Sequence, residues 1–178
     1  IDGVLNCYPQ GHDEFGSKFH KHFEDNLRTI IDATGARIVI TSTWRANGLS
    51  NMKEMWLKRG LPGAVVGITP HNEGVRGDQI ERWLHNHSKV ISDGPYEVGI
   101  TKDQIELWLT EYDLVTKFGD VENYVIIDDD DDMLDEQMSN FVKTSGNTHH
   151  TDYIDAGGYG LTLECTEEAI KILNNEKS

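Results

Sequence analysis

Ile1-Asp2-Gly3-Val4-Leu5-Asn6 is an acidic turn in which an aspartate and a glycine stand between apolar residues, as where a strand passes into a loop. Two later stretches have a related form: Ile38-Val39-Ile40-Thr41-Ser42-Thr43-Trp44-Arg45 and Tyr124-Val125-Ile126-Ile127-Asp128-Asp129-Asp130. In each, a short apolar run ends in polar residues. Short, continuously apolar runs are typical of parallel strands buried on both faces. Open α/β sheets gather their ligands beyond the carboxyl ends of such strands. Asp2, Thr41 and the pair Asp128-Asp129 are therefore expected to meet at one sheet edge and form a pocket.

The intervening sequence supplies helices in alternation with these strands. Phe19, Phe23, Leu27, Ile30 and Ile31 recur at three-to-four spacing, predicting a helix over Ser17 to Ala33 stopped by Gly35. Arg37 to Ile40 reads as the next strand, Leu49 to Arg59 as a helix ended by Gly60 and Pro62, and Ala64 to Ile68 as another strand. Val125 to Ile127 and Phe141 to Lys143 complete the strand set. Thr166 reads as the N-cap of a final helix running to about Asn174, with Glu167 and Glu168 in its first turn. The alternation predicts a three-layer, doubly wound α/β fold with a mostly parallel sheet.

Asp78-Gln79-Ile80-Glu81-Arg82-Trp83-Leu84 is nearly repeated 25 residues later as Asp103-Gln104-Ile105-Glu106-Leu107-Trp108-Leu109. Both read as helix starts: Thr101 with Gln104 makes a capping-box pattern and Asp78 with Glu81 a looser one. Two copies are too few for a solenoid. Between them, residues 85–102, centred on Asp93-Gly94-Pro95, read as an inserted surface hairpin. Ser145 to Gly160 is a long polar, glycine-rich loop, a kind that is more often functional or mobile than neutral.

Composition narrows the class. The 178 residues suit one domain, residues 1–178, and 37% hydrophobic with 26% charged residues is ordinary for a water-soluble protein. A net charge of −15 weighs against a general polyanion-binding surface, because it repels phosphates over a Debye length. Part of that charge lies in Asp128 to Asp132, where a divalent cation would offset it, although an acidic run is as often a solvated loop. Cys7 and Cys165 give no disulfide framework and fit a reducing, cytoplasmic setting. No stretch has the length of a membrane helix, and nothing in the sequence indicates an obligate protein partner. The histidines form no His-Glu-x-x-His or Cys/His zinc framework, and Gly157-Gly158-Tyr159-Gly160 lacks the Lys-Ser/Thr of a phosphate loop.

The three strand-end motifs, in this order, resemble those of the haloacid dehalogenase (HAD) superfamily, whose first motif has the form Asp-x-Asp-Gly. Arg76-Gly77-Asp78-Gln79-Ile80-Glu81-Arg82-Trp83-Leu84, Phe141-Val142-Lys143-Thr144 and Gly160-Leu161-Thr162 ahead of Ala169-Ile170-Lys171-Ile172-Leu173 narrow this to the HAD-type phosphatase domain of Swiss Army Knife RNA repair proteins. The resemblance runs intermittently over nearly the whole chain. It implies a Mg²⁺-dependent phosphatase working through an aspartyl-phosphate on a phosphorylated substrate, a nucleotide or nucleic-acid end being consistent with it. It also implies a hydrophobic strand ending in the attacking aspartate just before Ile1, and hence a sequence clipped at that point. Only about 30 residues lie between the first motif and Ile38, room for a helix and a flap but not for a large cap domain, so an open site is expected.

Carried onto these positions, the family pattern makes Asp2 the acid that protonates the leaving oxygen and the base that activates water, its carbonyl helping to hold the metal. An Asp-Gly turn alone is commonplace, and it is the accompanying motifs that lend Asp2 this role. Thr41 would bond a phosphoryl oxygen with help from Ser42, though Ser42 competes for the part and Thr-Ser-Thr is also ordinary turn material. Arg45 could hold a second phosphate or another acidic substrate group, while Trp44 is more readily a packed residue than a stacking platform. Asp129, with Asp128 beside it, supplies hard oxygen ligands suited to Mg²⁺. Asp132 is an outer partner, and Asp130 and Asp131 read as solvated. The phosphoryl-holding cation is Lys102, 26 residues before Asp128, or Arg76; lysine is the superfamily's usual choice and is favoured. A phosphoacceptor regulatory module and a catalytically inactive HAD-like binding domain are the alternatives.

Overall fold

The computed structural model describes residues 1–7, 11–71, 74–87, 121–146 and 159–176. The Ile1 carbonyl accepts from the amides of Val4, Leu5 and Asn6 at 2.8–3.2 Å, winding the first residues into a tight turn that Gly3 enters with φ +68°. Three distant segments hold this turn. Thr144 Oγ1 donates to the Gly3 carbonyl at 2.8 Å, Leu161 N to Val4 O at 2.9 Å, and His20 N to Leu5 O at 3.0 Å. Val4, Leu5 and Cys7 are buried beneath it.

A small antiparallel hairpin follows, β1 (His12–Asp13) with β2 (Gly16–Ser17), and then α1 (Lys21–Thr34). The helix starts later than its apolar spacing predicts. Gly16 at φ +112° closes the hairpin, so residues 16–17 are extended and Phe19 enters the core ahead of the first helical turn. At the other end Gly35 takes φ +66° and returns its N–H to the Ile31 carbonyl, as a left-handed C-cap does.

β3 (Ile38–Ile40) and β4 (Val65–Ile68) pair in parallel, connected through a 3₁₀ turn (Thr43–Asn47) and α2 (Gly48–Lys58). Met52, Met55 and Trp56 bury one face of α2, and Trp56 Nε1 donates to Pro62 O at 2.8 Å, fixing where the helix hands over to the strand. Gly67 in β4 lies under the Trp83 indole of α3 (Arg76–His87), and a Cβ there would come within 2.9 Å of Nε1. The first copy of the repeated segment is thus this helix, which also takes in residues 85–87 of the expected hairpin. The rest of that hairpin and the second copy lie outside the described residues.

β5 (Ile126–Asp128) pairs in parallel with β6 (Phe141–Lys143), the chain between them running through an acidic loop and a 3₁₀ turn (Asp135–Asn140). α4 (Leu163–Leu173) closes the described chain and packs on α1. Its N-cap is Thr162, not Thr166: Thr162 Oγ1 accepts from Cys165 N at 3.2 Å, while Thr166 is fully buried and donates to the Thr162 carbonyl. The main apolar core joins the first turn to α1, α2, β3, β4, β6 and α4, and a smaller cluster of Ile80, Ile126 and Phe141 seats α3 on the second strand pair. The architecture is α/β, with helices against two short parallel pairs. No described helix is long and apolar enough to cross a membrane.

Candidate functional site

The loop after β5 turns back on the first turn of the chain. A Cβ on Gly3 would run into the Asp129 carboxylate, and so would one on Gly146. Two residues without side chains therefore leave the space in which Asp129 sits. Burial and the neighbouring Asp128 carboxylate push the Asp129 carboxyl above its ordinary range, with Asp130 adding in the same direction. Such crowding of like charge favours a bound cation. Asp128, Asp129 and Asp130 each present an oxygen within 4.8 Å of the others, a hard-donor set whose chemistry fits Mg²⁺.

Asp128 and Asp129 have different surroundings. Asp128 is 3% exposed and is paired with the Arg76 guanidinium, which also lies 3.5 Å from Asp130 and 3.8 Å from Asp132. The backbone places that guanidinium. Asp132 accepts from Arg76 N at 3.2 Å and, through its carbonyl, from Gly77 N at 3.0 Å. Buried Gln137 completes the joint, its Nε2 donating to Gly77 O at 3.0 Å and its Oε1 accepting from Leu134 N at 3.1 Å. Asp132 is thus a partner of the α3 N-terminus. Asp131 is paired with Lys143 at 2.7 Å on the surface, where it was expected to be simply solvated.

Asp2 lies on the other side of Gly3, exposed, with both carboxylate oxygens held: Asn6 Nδ2 donates to Oδ1 and Trp44 Nε1 to Oδ2, each at 3.0 Å. The first and second motifs are thereby in direct contact, and the first and third meet through Gly3 and Asp129.

Thr41 follows β3, and its buried Oγ1 has no partner among the described residues. Ser42 is the N-cap of the 3₁₀ turn, its Oγ accepting from Trp44 N at 3.5 Å. Arg45 is buried at 7% exposure, donating to Gln79 Oε1 while its Nε has no partner among the described residues. Burial foremost, and then the nearby Arg76 charge, pull the Arg45 pKa down, with Asp128 opposing. Thr69, immediately after β4, has a buried hydroxyl that likewise has no partner among the described residues. Lys102 lies outside the described residues.

Sequence reasoning passed over Asn6, Gly146, Gln137 and Thr69. Thr69 carried a usable signal, since it ends an apolar strand as Thr41 does and the carboxyl-edge rule applies equally to both. The surface cleft lined by Gly74, Asp78, Glu81, Arg82 and His85 runs along α3 and includes none of the strand-end residues.

A family model described as the HAD domain in Swiss Army Knife RNA repair proteins matches residues 1–152. No curated protein and no solved structure matches the chain.

Proposed function

The chain belongs to the family of HAD domains found in Swiss Army Knife RNA repair proteins, and from that premise we propose that it is a Mg²⁺-dependent phosphatase acting on a phosphate monoester through an aspartyl-phosphate. The observation that carries this reading is the division of labour between adjacent carboxylates. Arg76 compensates Asp128, while Asp129 is crowded by negative charge in a space left by two glycines.

Bound Mg²⁺ would neutralise charge on the phosphoryl group; Asp129 and the Asp2 main-chain carbonyl would hold it, with Asp128 alongside. On this reading the attacking carboxylate belongs to the position two before Asp2. Its oxygen forms a bond to phosphorus as the bond to the leaving oxygen breaks, and Asp2 gives that oxygen its proton. The Asp2 carboxylate then takes a proton from the water that attacks phosphorus, which releases phosphate and restores both groups. The unpartnered Thr41 hydroxyl suits a phosphoryl oxygen, since a buried hydroxyl without a partner costs about 1–3 kcal/mol that a ligand would recover. Ser42 supports the turn that follows, and Arg45 stands ready for a further acidic group. A three-layer, doubly wound sheet without a large cap is the architecture proposed to carry this site. Its substrate class would be a nucleotide or nucleic-acid end, encountered in the cytoplasm.

The test is hydrolysis of a generic phosphate monoester by protein that carries an aspartate two positions before Asp2, with Mg²⁺ and with excess chelator. Activity should depend on Mg²⁺ and fall at least about 10²-fold in Asp129→Asn, the size expected for losing a transition-state charge partner. Undiminished hydrolysis in chelator would sink the proposal. A phosphoprotein that persists for minutes without turnover would instead assign the chain to the phosphoacceptor class.

A further inference from the structure

We propose that Trp44 is a positioning residue for Asp2, an inference that rests on the acid/base role given to Asp2 above. The indole N–H donates to Asp2 Oδ2 at 3.0 Å, and Asn6 Nδ2 donates to Oδ1 at 3.0 Å. These two donors are not equivalent. An indole nitrogen can only donate, so it marks Oδ2 as the oxygen that accepts throughout. A primary amide offers either its N–H or its carbonyl by turning over, so Asn6 can face Oδ1 with or without a proton on it. Oδ1 is thereby the oxygen that exchanges the proton with the leaving group and with water, and Trp44 sets the direction in which it points.

The indole can do this because it is itself held. Phe19 packs against it with ring centroids 5.5 Å apart and an interplanar angle of 57°. The Arg59 guanidinium lies 4.4 Å from the Phe19 ring centroid and 5.6 Å from that of Trp44. Arg59 in turn is fixed by two hydrogen bonds to Asp13 at 2.8 and 3.0 Å. Gly16 adds a close backbone approach, since a Cβ there would meet the far edge of the indole at 3.4 Å. The β1–β2 hairpin, the end of α2 and the turn after β3 thus converge on one N–H. The sequence placed Trp44 as a packing residue; the hydrogen bond gives its polar edge a separate use.

Trp44→Phe keeps the ring and removes the N–H. In the full chain, kcat should fall about 10-fold or more on an alkyl phosphate, whose leaving oxygen needs a proton, with little change in KM. On p-nitrophenyl phosphate, whose leaving group departs without much help, the fall should be several-fold smaller. Added to Asp2→Asn, Trp44→Phe should cost little more. Equal slowing on both substrates, or full additivity, would overturn the proposal. Activity undiminished in Asp2→Asn would fell the acid/base reading instead. The contact is also tested without activity or the Trp44 variant, through the ¹⁵N–¹H correlations of the four tryptophan indoles. In Asp2→Asn one of them should shift clearly, and if none moves the positioning role is refuted even in an inactive protein.

Discussion

Gly3 and Gly35 have nearly the same backbone angle, φ +68° and +66°, in opposite surroundings. A Cβ at Gly35 meets no described residue within 4 Å, whereas one at Gly3 meets the Asp129 carboxylate. Gly35→Ala should therefore cost only the left-handed strain of about 1–2 kcal/mol, and Gly3→Ala more, with loss of Mg²⁺ response as Asp129 is displaced. Denaturant melts with and without Mg²⁺ on both variants check this, and equal costs with an unchanged metal response would contradict it. Arg76 offers a second contrast. Asp128 is buried, so Arg76→Ala leaves it uncompensated and should cost about 3–5 kcal/mol. The same melts beside rate measurements on Arg76→Ala and Lys102→Ala separate support of the fold from a part in turnover.

Among the elements, the β1–β2 hairpin is joined to the end of α2 chiefly by Asp13 and Arg59, of which Arg59 is the more deeply buried. The Arg59 hydrogen bonds hold the Asp13 carboxyl below its usual pKa, with the Phe15 backbone amide assisting. A carboxylate depressed in this way stabilises the fold at pH above its unfolded value of about 3.9 and loses that contribution as pH falls through its folded value. Melts of the native chain and of Asp13→Asn should thus differ by a constant amount above about pH 5 and converge in more acidic solution. A gap that persists at the acid end would mean that shape, not charge, makes the joint. At the start of α4, Thr162→Ala should cost about 1 kcal/mol as a lost N-cap. That α4 starts at Thr162 was hidden in sequence because Thr166, followed by two glutamates, makes the stronger local cap pattern. Burial in the fold overrides it: Thr166 is fully enclosed and its hydroxyl is taken up within the helix.

At the scale of the molecule, the core draws residues from both ends of the described chain. Leu161 is fully buried beside the first turn, so Leu161→Ala should lose about 2–5 kcal/mol in denaturant melts. Cys7 lies in the same core, and its thiol is pushed up to about 12 by burial and by the Asp129 and Asp2 charges. An alkylating reagent at mildly alkaline pH should therefore modify Cys165, which is only partly buried, and reach Cys7 only as the protein unfolds. Prompt modification of both thiols would show the first turn to be open.

The succession of the strands along the chain, the parallel sense of the β3–β4 and β5–β6 pairs and the identity of the acidic strand ends could be read from the sequence, because apolar runs and polar breaks are local and each motif carries its own chemistry. Asp2, Thr41, Asp128 and Asp129 were singled out on that basis, and Arg76 beside the favoured Lys102 on the family resemblance. Their division of work was not, since it depends on which side chains face one another across long stretches of chain. Arg76 and Asp128 are 52 positions apart, and Asp2 and Trp44 are 42 apart. A lone sequence records no contact at such separations. Folding decides them by bringing distant segments together, where a missing Cβ at Gly3 or Gly146 leaves room for the Asp129 carboxylate and a single indole N–H holds one oxygen of Asp2.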